Sequence, residues 1–418
     1  MKTYIFLTGG IEGINGVVIY LDNKIKYLLK KGYRVFIICP NTGTIYVKSL
    51  EQYAHHKPFM KYYPSSYKKG VLRCYLNELQ QLCRDIDENE TIIETHNYNL
   101  SCWGEALAQT MNCRHIHLLV TENPKIWTDE FYRFMKFKLE RYELFGMNEK
   151  TIPMLMKGWE NLDISDKYFL KTPCDNTVQE GGSEFLRKSN PEVDYRICSV
   201  GRFDKPYVLP MIDQLETFCK EKNCRVQLFL IGGVYHENNL QKIQNRLRDN
   251  KHIEYVYTGF QYPVSLSLLH TMDAAIGCAG SVLTTYRAGV PTIPLDVSDF
   301  LPVGIYGVTT NSTHYKESGK KEDTLSELLT KILIEKKVVT RNLSPDYGDL
   351  TSEFDIHFAK LAASNQSKQY YNVSAVVNKG GSYKRRIKIM HVIGPRNYYF
   401  LDNMKNKVKS KILAKKDE

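Results

Sequence analysis

The pattern that most constrains this chain is an alternation of short apolar runs with helical hydrophobic spacing, which occurs twice along its 418 residues. The first series has strand-like runs at 4–7, 33–39, 91–95, 115–120 and 167–170. Apolar residues at helical spacing lie between them, at 18–29 and 103–111. Because two parallel strands need a crossover connection, this alternation predicts a parallel sheet flanked by helices.

A second series follows a polar stretch at 177–193, which contains Gly181, Gly182 and Pro191 and has the composition of a linker. Its strand-like runs lie at 195–200, 226–231, 253–257, 274–276 and 292–295, with helical patterns at 208–222, 240–248 and 325–334. The sequence therefore predicts an α/β protein with two Rossmann-like domains. The expected divisions are 1–176, the linker 177–193, 194–351, a crossover helix at 352–372 and a basic tail at 373–418.

The cysteines and the apolar runs indicate the compartment. Ten cysteines are scattered along the chain without a Cys-x-x-Cys pair, so neither a zinc site nor a disulfide framework is expected. No stretch approaches the ~20 apolar residues of a membrane span, and the run at 4–7 is too short for a signal peptide. We therefore expect a cytoplasmic protein with reduced thiols and no metal.

The net charge of +11 is concentrated at the carboxyl end. Residues 379–418 contain 12 Lys and Arg against 3 acidic residues, so the rest of the chain is nearly neutral. Leu401, Met404, Val408 and Ile412 lie near one helical face there, as in a basic amphipathic helix on an anionic membrane. A solvated, partly disordered terminus is the alternative. Nucleic acid is not an expected partner, because the body shows no basic patch and no nucleic-acid module.

Glycine-rich turns follow the strand-like runs, at the carboxyl ends where ligands bind in open α/β sheets. The first contains Gly9 and Gly10, and its amides can approach a phosphate at the start of the next helix. Its spacing differs from Gly-x-Gly-x-x-Gly, so a dinucleotide site is not indicated. A tight turn that needs a positive φ is the alternative.

A second turn places two cations after a strand, Arg202 and Lys205. The arginine offers a bidentate fork and the lysine a point charge, which together suit a diphosphate. Pairing of Arg202 with Asp204 or with a helix C-terminus is the alternative.

Three further turns complete the series, at 232–233, 258–260 and 277–281. The glycines of the first two could simply end their strands. In the third, Ser281 is predicted to be the N-cap of a helix whose dipole favours an anion. A plain βαβ turn is the alternative here.

The order of these turns resembles that of the GT-B glycosyltransferases, in particular the family 4-like group, over most of residues 1–350. The matching segments are the loop at 9–10, the Val-Gly-Arg entry at 200–202, the loops at 232–233 and 257–260, and the segment 288–291. The resemblance implies two domains facing across a cleft, the first on the acceptor side and the second binding a nucleotide sugar. The donor-binding residues that it implies include Gly10, Arg202, Lys205, Gly233, Gly259, Phe260 and Ser281. Among these, Arg202 and Lys205 would hold the diphosphate, and the loop of Gly259 and Phe260 would contact the base.

The sequence departs from the family pattern at three places. The family's Glu-x7-Glu element would put its second acid at Thr284, where the hydroxyls of Thr284 and Thr285 are expected to bond to ribose or phosphate instead. A family histidine after the fourth strand of the first domain is absent here, and Glu122 or His96 is expected to act as the base. The family lysine normally lies where this chain has Tyr207.

The resemblance implies transfer of a sugar from a nucleotide-diphosphate sugar to a saccharide or lipid-linked acceptor, in surface polysaccharide or glycolipid synthesis. Fixed cations and helix dipoles would stabilise the leaving diphosphate without a metal or a cofactor. Retention and inversion at the sugar both stay open. A degenerate GT-B protein that serves as a partner subunit is an alternative, favoured by the missing acid at Thr284. A sugar-nucleotide epimerase of related fold is another.

Overall fold

The structure, a computed structural model, describes residues 1–41, 43–120, 128–148, 151–156, 166–174, 178–235, 237–317, 319, 322–338, 350–362, 368–377, 380–395, 397–402 and 404–405. These residues form two α/β domains, each built around a parallel sheet. The expected fold class is therefore confirmed.

Six parallel strands form the first sheet: β1 (Thr3–Leu7), β2 (Arg34–Cys39), β3 (Ala54–His56), β4 (Thr91–Thr95), β5 (Arg114–Leu119) and β6 (Leu144–Gly146). Their order in the sheet is β3-β2-β1-β4-β5-β6. The strands expected at 4–7, 33–39, 91–95 and 115–120 are confirmed to within one residue at each end. The strand expected at 167–170 is wrong, because Asp166–Tyr168 is a 3-10 turn and Phe169 makes a single bridge to Gly146.

The helices of this domain are α1 (Gly16–Lys30), α2 (Lys69–Leu82), α3 (Tyr98–Met111), α4 (Asp129–Glu140) and α5 (Thr151–Leu155), with 3-10 turns at Lys48–Tyr53, Pro58–Lys61 and Pro64–Ser66. Helix α1 begins where Asn15 Oδ1 accepts hydrogen bonds from the amides of Val17 and Val18. It ends just before Gly32, whose φ of +77° reverses the chain toward β2. The first turn of α1 therefore lies at the carboxyl end of β1.

The strands of the second domain are β7 (Val178–Gln179), β8 (Tyr195–Val200), β9 (Val226–Ile231), β10 (Ile253–Tyr257), β11 (Val264–Ser265), β12 (Ala274–Gly277) and β13 (Thr292–Pro294). Five of them form a parallel sheet in the order β10-β9-β8-β12-β13, and β7 pairs with β11. The helices are α6 (Val208–Lys222), α7 (Glu237–Leu247), α8 (Leu266–Leu269), α9 (Gly280–Arg287) and α10 (Leu325–Leu329), which continues into a π-helical turn at Thr330–Ile334. The bounds expected for β8, β9, β10 and α6 agree with the structure.

The polar stretch expected as a linker is packed against the second domain over much of its described length. It contains β7 and a 3-10 turn at Glu184–Lys188. Phe185 is buried in the same apolar cluster as Val178 and Leu268. The polar composition of this stretch therefore reflects its outer face, while a few apolar side chains fix it to the domain.

After the second domain the chain returns to the first. Helix α11 (Leu350–Ala362) packs on α1, where the ring of Phe354 lies 5.4 Å from that of Tyr27. Helix α12 (Gly381–Ile393) packs on the opposite face of the same sheet, where Met390 is fully buried with Ile5 and Leu7. The described part of the expected basic tail is thus a packed surface of the first domain, whereas Val408 and Ile412 lie outside the described residues. Among the helices that the structure describes, none is long and apolar enough to cross a bilayer.

Two buried charge clusters lie inside the first domain. In one, Glu94 on β4 contacts the Lys24 ammonium at 2.5 Å and accepts a hydrogen bond from Tyr20 at 2.9 Å. Burial alone would raise the pKa of Glu94, but the Lys24 charge and the hydrogen bond with His96 outweigh it and lower that pKa. The cluster ties α1 to the sheet below the site described next.

In the second cluster, Glu105 contacts His115 at 2.7 Å and Lys138 at 2.9 Å. Burial alone would raise the pKa of Glu105, yet Lys138 and the hydrogen bond with His115 lower it to about 2. Burial lowers the pKa of His115 to about 4 and that of His357, on α11, to about 3.

These histidines predict how the free energy of unfolding depends on pH. Below their ordinary pKa of about 6.5, the unfolded chain binds protons that folded His115 and His357 do not bind. Stability is therefore complete above this pH and is lost as the pH falls toward 4, by about 1.4 kcal/mol per pH unit for each histidine. Urea unfolding should show a falling midpoint between pH 6.5 and pH 4 and little change between pH 7 and pH 8. A midpoint that does not fall between pH 6.5 and pH 4 would contradict this burial.

Candidate active site

A cavity of about 670 Å³ opens between the domains. It lies beyond the carboxyl ends of both sheets, next to the points where the strand order reverses, between β1 and β4 and between β8 and β12. Such switch points are where open α/β sheets bind ligands. The fold alone therefore places a ligand site in this cavity.

The wall from the first domain contains the start of α1, with Ile14, Asn15 and Gly16. Gly10 lies in the loop before them but does not itself line the described cavity. A side chain at position 10 would collide with Glu12, because its Cβ would lie 1.9 Å from Glu12 Oε2. Because these atoms are the end of a flexible side chain that can turn away, the packing does not by itself require glycine, and the expected contact of Gly10 with phosphate stays a prediction.

The wall from the second domain contains Arg202 and Lys205. Arg202 Nε lies 3.5 Å from Asp204 Oδ1, which is longer than the ~2.8 Å of a strong charge-assisted hydrogen bond. The guanidinium also lies over the ring of Tyr235, at 4.7 Å from its centroid. The expected pairing with Asp204 is therefore present but loose, and Arg202 is available to a ligand in the cavity.

The charged side chains described in the lining of this cavity are all positive. Among its described lining residues, Arg202 and Lys205 are the charged ones, and both are cations. Tyr207, at the position of the family lysine, is buried and also lines the cavity. Burial raises the pKa of Tyr207 to about 12, so its hydroxyl stays protonated and can donate a hydrogen bond. The lining is thus suited to an anion.

Three glycines hold the loops of the second domain close together. A Cβ on Gly232 would lie 1.8 Å from the carbonyl oxygen of Gly201, so these two loops touch through their backbones. A Cβ on Gly233 would lie 2.5 Å from the ring of Phe260, which therefore packs directly on Gly233. Phe260 and Gly232 line the cavity, whereas Gly233 and Gly259 are not among its described lining residues.

The turn after β12 also reaches the cavity. Ser281 lines it as expected, but its predicted role as N-cap is wrong, because α9 begins at Gly280 and is preceded by Ala279. The Ser281 hydroxyl instead donates to the carbonyl oxygen of Cys278 at 2.8 Å. Ala279 has φ 58° and ψ −133°, a strained conformation for a residue with a side chain. The first two residues of α9, Gly280 and Ser281, line the cavity, so the N-terminal end of this helix faces it, while the amide of Val282 donates to the carbonyl oxygen of Ala279 at 3.0 Å.

The two threonines expected to contact the donor lie elsewhere. Thr284 and Thr285 are buried. The Thr284 hydroxyl donates to the carbonyl oxygen of Gly280 at 3.1 Å, and the Thr285 hydroxyl bonds to that of Thr292 at 2.8 Å. Since α9 begins just before Ser281, these side chains point into the domain and do not line the described cavity.

The structure describes one of the two candidate bases, His96, but not the other, Glu122. His96 is buried in the cluster of Glu94, with its Nε2 at 2.9 Å from Glu94 Oε1, and it does not line the described cavity. Glu122 lies outside the described residues, two positions after Val120, which does line the cavity. The identity of the base stays a prediction.

Two aromatic residues that contact the lining of the cavity were not predicted from the sequence. Tyr235 bridges the domains, because Asn15 Nδ2 donates to its hydroxyl at 3.0 Å. Tyr46 packs on Phe260 with ring centroids 4.8 Å apart. Single aromatic residues in loops carry no periodic signal, so only their positions after β9 and β2 could have indicated them.

The described residues contain no group of three His, Cys, Asp or Glu side chains that could hold a metal ion. The ten cysteines, all in described segments, form no disulfide.

No family model and no curated protein matches the chain. Solved structures similar to it include HepE from Anabaena in complex with UDP and glucose, with 10% identity and a TM-score of 0.56 over 87% of this chain and 98% of that one. TarM has 9% identity and a TM-score of 0.53 over 87% and 98%. A glycosyltransferase from Rickettsia africae has 13% identity and a TM-score of 0.51 over 94% and 99%. At such identities the likeness concerns the fold, and the chain has the GT-B fold, two Rossmann-like domains facing across a cleft.

Proposed function

We propose that the protein is a glycosyltransferase that transfers a sugar from a nucleotide-diphosphate sugar to a saccharide or lipid-linked acceptor. The observation that carries the proposal is the cavity at the carboxyl ends of both sheets, whose charged described lining residues are Arg202 and Lys205. A nucleoside diphosphate is an anion of matching size, since cavities of a few hundred Å³ accommodate ligands of this class.

The chemistry follows from where charge develops. The bond between the sugar C1 and the diphosphate oxygen breaks, the acceptor oxygen bonds to C1, and the acceptor proton passes to a base. Negative charge grows on the diphosphate, where Arg202, Lys205 and the dipoles of α1 and α9, whose N-terminal ends line the cavity, stabilise it. These cations perform the task that a divalent metal has in other transferases, so we propose that the reaction needs none. Glu122 is the base that we favour.

The nucleotide base is proposed to pack on Phe260. Its ring lines the cavity and is held from behind by Gly233 and from the side by Tyr46. HepE was solved with UDP-glucose, so a uridine nucleotide is the first donor to test.

Calorimetric titration with UDP, GDP, ADP and CDP tests the proposal. We expect micromolar binding of one of them, with UDP first, and consumption of the corresponding sugar nucleotide when saccharide or lipid-linked acceptors are added. Absence of binding by all four would contradict a nucleotide-sugar site.

A second candidate is a partner subunit without activity of its own. The observation that favours it is the burial of Thr284 and Thr285, which leaves no described side chain of α9 beyond Ser281 to bond to the ribose. Tight nucleotide binding without turnover, over the full set of acceptors, would favour this candidate.

We further propose that the enzyme acts at the cytoplasmic face of a membrane, in surface polysaccharide or glycolipid synthesis. Helix α12 carries Lys384, Arg385 and Lys388, and the apolar side chains of Val392 and Phe400 near it are 85% and 65% exposed. Cations beside exposed apolar groups are typical of surfaces that bind anionic lipids.

Replacing Val392 with Asp is expected to weaken binding to phosphatidylglycerol vesicles by about tenfold, because burial of one valine contributes about 1.5 kcal/mol. Co-sedimentation measures this, and binding should also fall as salt is raised. The control is Val308→Asp, which changes a valine that is 59% exposed in the second domain. Equal binding by both variants and the parent would contradict the membrane surface.

A further inference from the structure

Tyr235 makes contacts in both domains. It lies in the loop after β9 of the second domain and its side chain is 37% exposed. Its hydroxyl accepts a hydrogen bond from Asn15 Nδ2 at 3.0 Å and lies 3.5 Å from the carbonyl oxygen of Ile14, both in the first domain. A Cβ on Gly13 would lie 2.2 Å from the ring. The absence of a side chain at Gly13 therefore leaves the space that the ring occupies.

The same ring contacts Arg202 from its own domain. The guanidinium carbon lies 4.7 Å from the ring centroid, within the range of a cation–π contact. On its other flank the ring is 5.6 Å from that of Phe260. The planar ring thus fixes the orientation of Arg202, which is otherwise held by the 3.5 Å contact with Asp204.

The partner of the hydroxyl is also distinctive. Asn15 is the N-cap of α1, where its Oδ1 accepts hydrogen bonds from the amides of Val17 and Val18 and its Nδ2 binds Tyr235. One side chain therefore holds both the start of α1, at the cavity, and the ring that carries Arg202.

We infer that Tyr235 is a positioning residue that couples closure of the cleft to the orientation of Arg202. The inference rests on the proposed function, because it assigns Arg202 to the diphosphate. When the domains separate, the bond between Asn15 and Tyr235 is lost and the ring is no longer fixed. Arg202 is then correctly oriented only in the closed arrangement, in which the start of α1 is also in place.

Two variants separate the ring from the hydroxyl. Tyr235→Phe keeps the ring under Arg202 and removes the contact with Asn15. We expect the Kd for UDP, or for whichever diphosphate binds the parent protein, to rise about 3- to 10-fold. Tyr235→Ala removes both contacts, and the Kd should rise about 30- to 100-fold. The control Tyr132→Phe, on α4, should leave the Kd unchanged.

A third variant removes the same hydrogen bond from the other side. Asn15→Ser keeps a good N-cap for α1 but is too short to reach Tyr235. It should match Tyr235→Phe, and the double variant should be no weaker than either single one, because both lose the same contact. In an Arg202→Ala background, Tyr235→Ala should cost no more than Tyr235→Phe.

Small-angle scattering of the ligand-free protein gives a readout that does not depend on nucleotide. The radius of gyration should increase equally in Tyr235→Phe and Asn15→Ser, because either change removes the same one of the contacts that hold the domains together. Independent, multiplying effects of the three residues on the Kd, or an unchanged radius of gyration, would overturn the inference while leaving the proposed function intact. If the parent protein binds none of the four diphosphates, the proposed function fails, and the scattering result then decides the coupling alone.

Discussion

Arg202→Ala is expected to lower kcat/KM for the sugar nucleotide by about 100- to 1000-fold, the usual effect of removing one group that stabilises transition-state charge. Arg202 is one of two cations among the described residues of the cavity lining, and Tyr235 holds its guanidinium at 4.7 Å. Since Arg202 binds the diphosphate before the reaction and its charge grows as the sugar leaves, the loss should appear in both KM and kcat. Steady-state kinetics of nucleotide release measure it.

Two matched variants define the effect. Arg202→Lys keeps the charge but loses the bidentate fork and the flat contact with Tyr235, so an intermediate loss of about tenfold is expected. Arg246→Ala removes an arginine of the same domain that pairs with Asp213 and Glu216 on the surface of α6. It should leave kcat/KM unchanged. A loss in Arg246→Ala as large as that in Arg202→Ala would mean that general damage to the domain explains both.

Glu94→Gln is expected to lower the free energy of unfolding by about 3–5 kcal/mol, because it leaves the buried ammonium of Lys24 without a counter-charge. Both side chains of this pair are 0% exposed, and their atoms are 2.5 Å apart. The carboxylate also accepts hydrogen bonds from Tyr4 and Tyr20 and bonds to His96. With Lys24, four side chains therefore depend on it. Urea unfolding at pH 7 measures the loss.

Glu140→Gln is the control for this variant. Glu140 pairs with Lys136 one turn away on α4, at 3.9 Å, and both side chains are well exposed. Exposed pairs of this kind contribute less than about 1 kcal/mol. If the two variants lost the same stability, burial of the Lys24–Glu94 pair would not be the cause of its strength.

The fold was predictable from the sequence because its signal is periodic. The apolar runs of β8 and β9 are largely buried on both faces, and Val208–Lys222 repeats its apolar residues at helical spacing. The short strands β3 and β6 were not predicted, because three residues are too few to show an alternating hydrophobic pattern. The run at 167–170 was mistaken for a strand for the related reason that its apolar composition does not distinguish a strand from an edge turn.

The site was predictable only where backbone geometry and strand ends define it. Arg202 and Ser281 follow strands directly, so the sheet carries them to the cavity. Thr284 and Thr285 lie further along α9, where the turn of the helix points their side chains into the domain. A prediction of the first residue of α9 that is wrong by one position changes the direction predicted for these side chains by about 100°. His96 also follows a strand, but Glu94 draws its ring into the domain. Contacts between the domains, such as that of Tyr235 with Asn15, depend on how the two domains pack against each other. No pattern within either domain predicts that packing.

A crystal structure of the protein with UDP, or with the nucleoside diphosphate that binds most tightly, tests whether Arg202 holds the diphosphate. We predict that the two phosphates lie in the cavity between the sheets, within hydrogen-bond distance of the Arg202 guanidinium and near the start of α9. A nucleotide bound elsewhere, or one in the cavity whose phosphates leave Arg202 on Asp204, would contradict the account.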